Sequence, residues 1–116
     1  MVDPDCLFCR IAAGAIPATL VHEDELIVAF RDIAPQAPTH ILLIPRRHLA
    51  SIADVTPADA ELLTRLVTTA TRLAAEEGLG VTGFRLVTNA GPDAGQSVGH
   101  LHWHLLGGRA MAWPPG

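Results

Sequence analysis

The chain has 116 residues, 49% of them hydrophobic, and a formal net charge of −4 with histidine neutral. This length predicts a single domain over residues 1–116 that buries roughly two-thirds of its unfolded surface. The acidic balance argues against a nucleic-acid partner, and no apolar segment is long enough to span a membrane. The start of the chain lacks the layout of a signal peptide, so we expect a cytoplasmic protein with reduced cysteines.

The chain begins with a predicted short helix over residues 6–13, with Asp5 as a plausible cap and Gly14 as its end. A spacing of three residues places Cys6 and Cys9 on one face of this helix. In a reducing compartment such a C-x-x-C pair is typical of a metal site or a redox pair rather than a structural disulfide.

Three strands are predicted next. Residues 19–22 and 26–32 form a hairpin around a polar turn at 23–25, and a proline-rich loop over 34–39 follows. The apolar run 41–44 predicts a buried strand between Pro38 and Pro45, since proline cannot donate to a sheet ladder.

The second half of the chain begins with a predicted long helix. Thr56 is the expected N-cap, Pro57 takes the first helical position, and Gly78 ends the helix. Its apolar stripe is expected to be core: Leu62, Leu63, Leu66, Val67, Ala70, Leu73 and Ala74. A strand over 84–89 and a glycine-rich loop over 90–99 lead into the last strand. The prediction is an α+β domain with a five-stranded, mostly antiparallel sheet, one short helix and one long helix.

The most informative segment is the run from His100 to His104. Three histidines alternate with apolar residues, so in a strand His100, His102 and His104 would project from one face. Such side chains lie roughly 6.6–7 Å apart, a spacing that surrounds one small anionic group. A metal cluster of the three histidines is the alternative, but no carboxylate ligand lies nearby in sequence.

These histidines are followed by two apolar residues, and the pattern resembles the signature of the histidine-triad (HIT) superfamily of nucleotidyl hydrolases and transferases. Three further segments are similar to its Hint branch: residues 29–40, 44–48 and 107–116. The resemblance covers nearly the whole chain and implies the HIT-like fold. It also implies a homodimer whose two sheets join, with the tail around Trp113 reaching toward the partner's site.

A bacterial-type subset of Hint-like proteins resembles this chain in its zinc ligands, which match Cys6, Cys9, His48 and His100. Four protein ligands make a closed structural site. We therefore expect structural zinc, which stabilises the fold without entering the chemistry, and no organic cofactor.

The chemistry is predicted to rest on His102, because a neutral imidazole is a good nucleophile toward phosphorus near neutral pH. His104 would donate to a phosphoryl oxygen or assist the leaving group. In the loop before them, Gly91, Gly95 and Gly99 permit close backbone approach, and Gln96 and Ser97 offer donors.

The family resemblance assigns the remaining substrate contacts. Positions matching Asn89, Gly95 and Ser97 contact the phosphate or the bridging atom, and Asp32 matches the acid that binds the ribose hydroxyls. The apolar slot for the base corresponds to Ile16, Phe30 and Ile33, with His40 near it. Arg31 stands where Hint proteins often carry histidine, and His22 is interpreted as a surface residue.

The leading functional hypothesis is hydrolysis of purine nucleoside 5′-phosphoramidates, releasing AMP or GMP through a covalent nucleotidyl-histidine. One alternative is a dinucleoside polyphosphate hydrolase. The other, of a different class, is a non-catalytic nucleotide-binding or adaptor protein, against which an intact His102 argues.

Overall fold

The computed structural model describes residues 3–116; Met1 and Val2, where the signal-peptide argument starts, lie outside the described residues. The helices are α1 (Leu7–Ala12) and α2 (Ala60–Glu76), with two 3₁₀ turns, Ile52–Asp54 and Pro57–Asp59, before α2. The strands are β1 (Leu20–Glu23), β2 (Ile27–Arg31), β3 (Thr39–Pro45), β4 (Phe84–Thr88) and β5 (Trp103–Gly107).

The five strands form one sheet in the order β1-β2-β3-β5-β4, with every neighbouring pair antiparallel. The predicted α+β class, the five-stranded sheet and the pair of one short and one long helix are confirmed. The last strand is shorter than predicted, because it begins only at Trp103. His100 and His102 precede it in an irregular segment, and of the three histidines only His104 lies in the sheet.

The sheet has two differently covered faces because side chains alternate along each strand. One face packs against α2 through a buried cluster that includes Ile41 and Leu105 of the sheet and Leu66 and Leu73 of the helix. The other face packs against α1, where Phe8 and Ile11 meet a second cluster on β2 and β3: Val28, Phe30, Leu42 and Ile44. His40 and His104 lie on this second face of the sheet, next to the part that α1 covers.

The helix boundaries follow local hydrogen bonds. The cap of α1 is Cys6 and not Asp5, because the Cys6 sulfur accepts from the backbone N–H of Cys9. The end of α2 is as predicted: Gly78 has φ +79°, and the N–H of Leu79 donates back to Ala74 O at 2.9 Å.

Two predictions about α2 require correction. Residues 57–59 form a 3₁₀ turn, so the α-helix starts at Ala60 and not at Pro57. Within the stripe, Val67 is 45% exposed, while Thr69 is buried in its place. None of the helices within residues 3–116 is long and apolar enough to cross a bilayer.

Candidate active site

His102 is buried immediately before β5, and its ring is oriented by the backbone. Its Nδ1 lies 2.8 Å from the carbonyl oxygen of His100, which accepts hydrogen bonds only, so Nδ1 carries the proton. The hydroxyl of Thr88 donates to the carbonyl of His102 at 2.7 Å and holds the segment to β4. In the neutral ring Nε2 is therefore left with its lone pair, which is the form that a nucleophile requires.

His104 is oriented by a second histidine on the neighbouring strand. The backbone N–H of Gln36 donates to His40 Nδ1 at 3.0 Å, so neutral His40 carries its proton on Nε2. That Nε2 lies 2.9 Å from His104 Nδ1 and 3.4 Å from a carboxylate oxygen of Asp32. With Nδ1 accepting, neutral His104 carries its own proton on Nε2 and can donate it.

The surroundings keep both of these rings neutral. Burial lowers the pKa of His104 to about 4, helped by repulsion from His102 and His40 and opposed by Asp32. Burial also lowers the pKa of His40, again against the attraction of Asp32. The tautomers derived from the hydrogen bonds are therefore the forms present at neutral pH.

A cavity of about 290 Å³ opens beside these histidines. The fold brings most of the sequence-predicted substrate residues together in its walls: Ile16, Phe30, Asp32, Ile33, Ser97, His102 and His104. Asp32 lies at its margin with one carboxylate oxygen already accepting from the N–H of Ala34 at 2.8 Å. Ile33 forms the rim and is fully exposed.

Four predicted residues are placed elsewhere. Asn89 and His40 line a different cavity of about 650 Å³, on the side of His104 that faces the C-terminal segment. The side-chain amide of Gln96 is already hydrogen-bonded to the backbone: it donates to Ala50 O and Val98 O and accepts from the N–H of Gly91. The N–H of Gly95 donates to Pro92 O at 3.1 Å, so loop-internal bonds already use these donors.

Helix α1 contributes a wall of this cavity that the sequence did not predict. Phe8 packs edge-on against His102, with ring centroids 5.1 Å apart, and also against Phe30 at 5.6 Å. Leu7 and Ile11 complete the same wall. The i, i+3 spacing of Phe8 and Ile11 predicts an apolar helix face, but only the tertiary structure places that face over the histidines.

The four predicted metal ligands converge on one point behind His102. The ligand atoms of Cys6, Cys9, His48 and His100 all lie within 4.8 Å of one another. The sulfur-to-Nδ1 distances are 3.3 Å for Cys6–His100 and 3.5 Å for both Cys9–His48 and Cys9–His100. A shared tetrahedral zinc ion would separate sulfur and nitrogen ligands by about 3.6 Å, given its usual bond lengths.

The orientation of His100 also suits a metal. Its Nε2 lies 2.9 Å from the carbonyl oxygen of Pro45, so Nε2 carries the proton and the Nδ1 lone pair faces the two sulfurs. Its ring is fully buried, so it does not line the cavity that holds His102. Burial lowers the pKa of His100 and raises that of the Cys9 thiol. The residues therefore fit a closed Cys₂His₂ zinc site.

Two other residues that the sequence singled out are held in polar contacts. Arg31 forms a bidentate ion pair with Glu77 at 2.7 and 3.0 Å and also lines the cavity that holds His102. His22 is not a free surface residue. Its Nε2 lies 2.7 Å from Asp24, and Arg72 lies 2.7 Å from its Nδ1.

Residues 13–111 match a family model described as "HIT domain". The chain belongs to the HIT family. A crystal structure of a HIT family hydrolase from Legionella pneumophila Philadelphia 1 is 58% identical, with a TM-score of 0.95, over 97% of this chain and 100% of the other.

Two curated relatives of this HIT protein bear on its site. The 14 kDa zinc-binding protein of Brassica juncea is 49% identical over 97% of this chain and 100% of its own length. The adenylylsulfatase HINT1 of Arabidopsis thaliana is 48% identical over 98% of this chain and 78% of its own length. The resemblance to the Hint branch inferred from the sequence is thereby confirmed, and a zinc-binding relative agrees with the Cys/His cluster.

Proposed function

We propose that this protein hydrolyses purine nucleoside 5′-phosphoramidates to the nucleoside monophosphate through a covalent intermediate on His102. The observation that carries the proposal is the bond from His102 Nδ1 to His100 O, which leaves Nε2 as a free nucleophile in a ring that lines the cavity. A binding protein has no need of such a nucleophile. The chain also belongs to a family with members named as hydrolases, which supports a hydrolytic activity.

In the first step His102 Nε2 attacks the phosphorus and displaces the amine, forming a nucleotidyl-histidine. His104 carries a proton on Nε2 and uses this N–H as a hydrogen-bond donor to a phosphoryl oxygen or to the departing nitrogen, and the amine leaves with a proton taken from solvent. In the second step water attacks the phosphorus and His102 leaves as a neutral imidazole. Because its pKa of about 4 keeps His104 uncharged, it acts at neutral pH as a hydrogen-bond donor and not as a fixed positive charge.

Substrate binding is proposed to use the walls of the cavity. Phe30 and Ile16 form an apolar slot for the base, and Asp32 accepts from the ribose hydroxyls, which are vicinal donors. Ser97 also lines the cavity, and its hydroxyl would donate to the phosphate. The base pocket is mainly apolar, so it would bind purines through contact area rather than through a set of hydrogen bonds.

Cys6, Cys9, His48 and His100 would hold zinc, which supplies a structural crosslink and no open coordination position for chemistry. The crosslink would join α1 to the segment that carries His102.

We also propose that two copies associate so that their sheets join, as the family resemblance implies; β1 and β4 are the two edge strands of the sheet. Light scattering on the purified protein tests this: a dimer mass is expected, and a monomer mass at micromolar concentration would contradict it.

A second candidate substrate is adenylyl sulfate, because a relative with 48% identity is named an adenylylsulfatase. The same attack by His102 would release sulfate in place of an amine. Dinucleoside polyphosphates are the third class to be compared.

The experiment measures AMP release from adenosine 5′-phosphoramidate, adenylyl sulfate and diadenosine tetraphosphate by the wild type and by His102→Ala. Loss of the nucleophile should lower kcat by about 10⁴-fold or more. His22→Ala is the matched control, since this histidine lies outside the cavity and should retain wild-type turnover. Preference for the phosphoramidate supports the proposal, preference for another substrate replaces it, and turnover by His102→Ala refutes the covalent route.

A further inference from the structure

We propose that Cys6 and Cys9 form a redox modification site: a peroxide-class oxidant joins them in a disulfide, releases the bound metal and loosens His102. The consequence for catalysis rests on the proposed function, whereas the modification itself does not. The inference starts from the C-x-x-C pair, which the proposed chemistry uses only as part of a static crosslink.

The two sulfurs can reach each other within one turn of chain. Cys6 caps α1 in an extended conformation, with φ −85° and ψ 126°, and Cys9 follows one turn later. The two sulfur atoms lie within 4.8 Å of each other, and the Cys6 sulfur accepts the backbone N–H of Cys9 at 3.4 Å. A disulfide therefore requires rotation of side chains and a small adjustment of the cap, without unfolding the sheet.

Accessibility assigns different roles to the two thiols. Cys6 is partly exposed, while Cys9 is 1% exposed. A solvent-accessible cysteine beside a resolving cysteine is the arrangement typical of redox-sensing thiols. Cys6 would react first with the oxidant, and Cys9 would then close the disulfide.

Oxidation and metal binding exclude each other because they use the same sulfur atoms. A disulfide removes two of the four ligands and leaves only His48 and His100. Two imidazoles alone make a weak site for zinc, so the metal would leave.

Two contacts connect this cluster to the predicted nucleophile. His100, a cluster member, accepts the Nδ1–H of His102 at its carbonyl oxygen, 2.8 Å away. Phe8 lies between the two cysteines in sequence and packs against the His102 ring, with a centroid distance of 5.1 Å. Opening the cluster therefore releases the bond that fixes the His102 tautomer and the apolar wall beside it.

The chemistry balances with hydrogen peroxide as oxidant. The Cys6 thiolate attacks a peroxide oxygen, the O–O bond breaks, and the sulfur becomes a sulfenic acid. The Cys9 thiolate then attacks that sulfur, forming the S–S bond and expelling hydroxide. Overall the two thiolates lose two electrons, peroxide takes them up with two protons from solvent, and two water molecules and the metal ion are released.

The first measurement follows zinc and disulfide in the zinc-loaded wild-type protein under graded hydrogen peroxide. A chromogenic chelator reports free zinc, and mass spectrometry under non-reducing conditions reports the Cys6–Cys9 peptide. About one zinc per disulfide should be released, and dithiothreitol with added zinc should reverse both. Cys6→His keeps a nitrogen ligand but cannot form this disulfide, so it should retain its zinc. Zinc that stays bound while the disulfide forms, or zinc loss without a disulfide, overturns the proposal.

The second measurement tests the coupling without turnover. Long-range ¹H–¹⁵N spectra of ¹⁵N-histidine protein report the His102 tautomer, and titration reports the affinity for AMP. Oxidation should convert the single Nδ1–H tautomer into a mixture and weaken AMP binding roughly tenfold, since a pre-organised wall is lost. Reduced protein stripped of zinc by a chelator should change in the same direction. An unchanged tautomer and affinity in the oxidised protein overturn the coupling, and this result is distinct from failure of the phosphoramidase assay.

Discussion

His40 is expected to act on catalysis through His104, and two substitutions separate its two hydrogen bonds. The Oδ1 of asparagine occupies the position of the histidine Nδ1, so His40→Asn keeps an acceptor for the N–H of Gln36. It loses the donor that reaches His104 Nδ1 at 2.9 Å. The Nε2 of glutamine matches the histidine Nε2, so His40→Gln does the reverse.

The magnitudes follow from one hydrogen bond in each case. A net bond contributes about 1 kcal/mol, equivalent to roughly a fivefold change in rate or equilibrium. His40→Asn should lower kcat for the phosphoramidate about 5–10-fold, because His104 is no longer held with its proton on Nε2. His40→Gln should keep kcat within about threefold of the wild type but lose about 1 kcal/mol of stability, since the N–H of Gln36 loses its partner.

Both variants are measured by steady-state hydrolysis of adenosine 5′-phosphoramidate and by urea unfolding. The two side chains are similarly polar, so a general effect of replacing a buried histidine would appear in both. Equal losses of kcat in the two variants would refute the role assigned to His40, as would full kcat in His40→Asn.

Three further predictions concern the pH dependence of stability, the metal site and the binding of the ribose. The pKa of His104 is about 4 in the folded protein against about 6.5 unfolded, so the unfolded chain binds the extra proton between these values. Stability should therefore fall as pH decreases through this window, by at most about 1.4 kcal/mol per pH unit from this group, and His104→Gln should flatten the urea-unfolding profile. Zinc at about a thousandfold above its Kd should add about 4 kcal/mol, so a chelator should lower Tm by roughly 10–20 °C. Cys9→Ala should abolish that difference, and a chelator effect that persists in it would contradict the assignment of the site. Asp32→Asn keeps an acceptor for the N–H of Ala34 but loses the carboxylate, so KM should rise roughly tenfold with kcat little changed; a change confined to kcat would contradict a ribose-binding role.

Local pattern was sufficient for most elements of the fold. The two strand-like segments on either side of the polar residues 23–25 predicted the hairpin, and Gly78 marked the end of α2, because turn chemistry and helix termination depend on neighbouring residues alone. The predictions were wrong where contacts with residues distant in sequence determine the local conformation. The alternation from His100 to His104 indicates one continuous strand, but His100 turns into the Cys/His cluster and the ladder starts only at Trp103.

For the candidate site too, the sequence indicated some features and only the tertiary structure decided others. The sequence by itself indicated a cluster of histidines and a C-x-x-C pair, because imidazole and thiol chemistry belong to the side chains, whereas the full set of four metal ligands was implied by the resemblance to Hint-like proteins. Only the tertiary structure decided which nitrogen of His100 and of His104 carries the proton, since Pro45 and His40 are brought to those rings from distant segments of the chain. It also placed Phe8 against His102, a contact across 94 positions that no local pattern encodes.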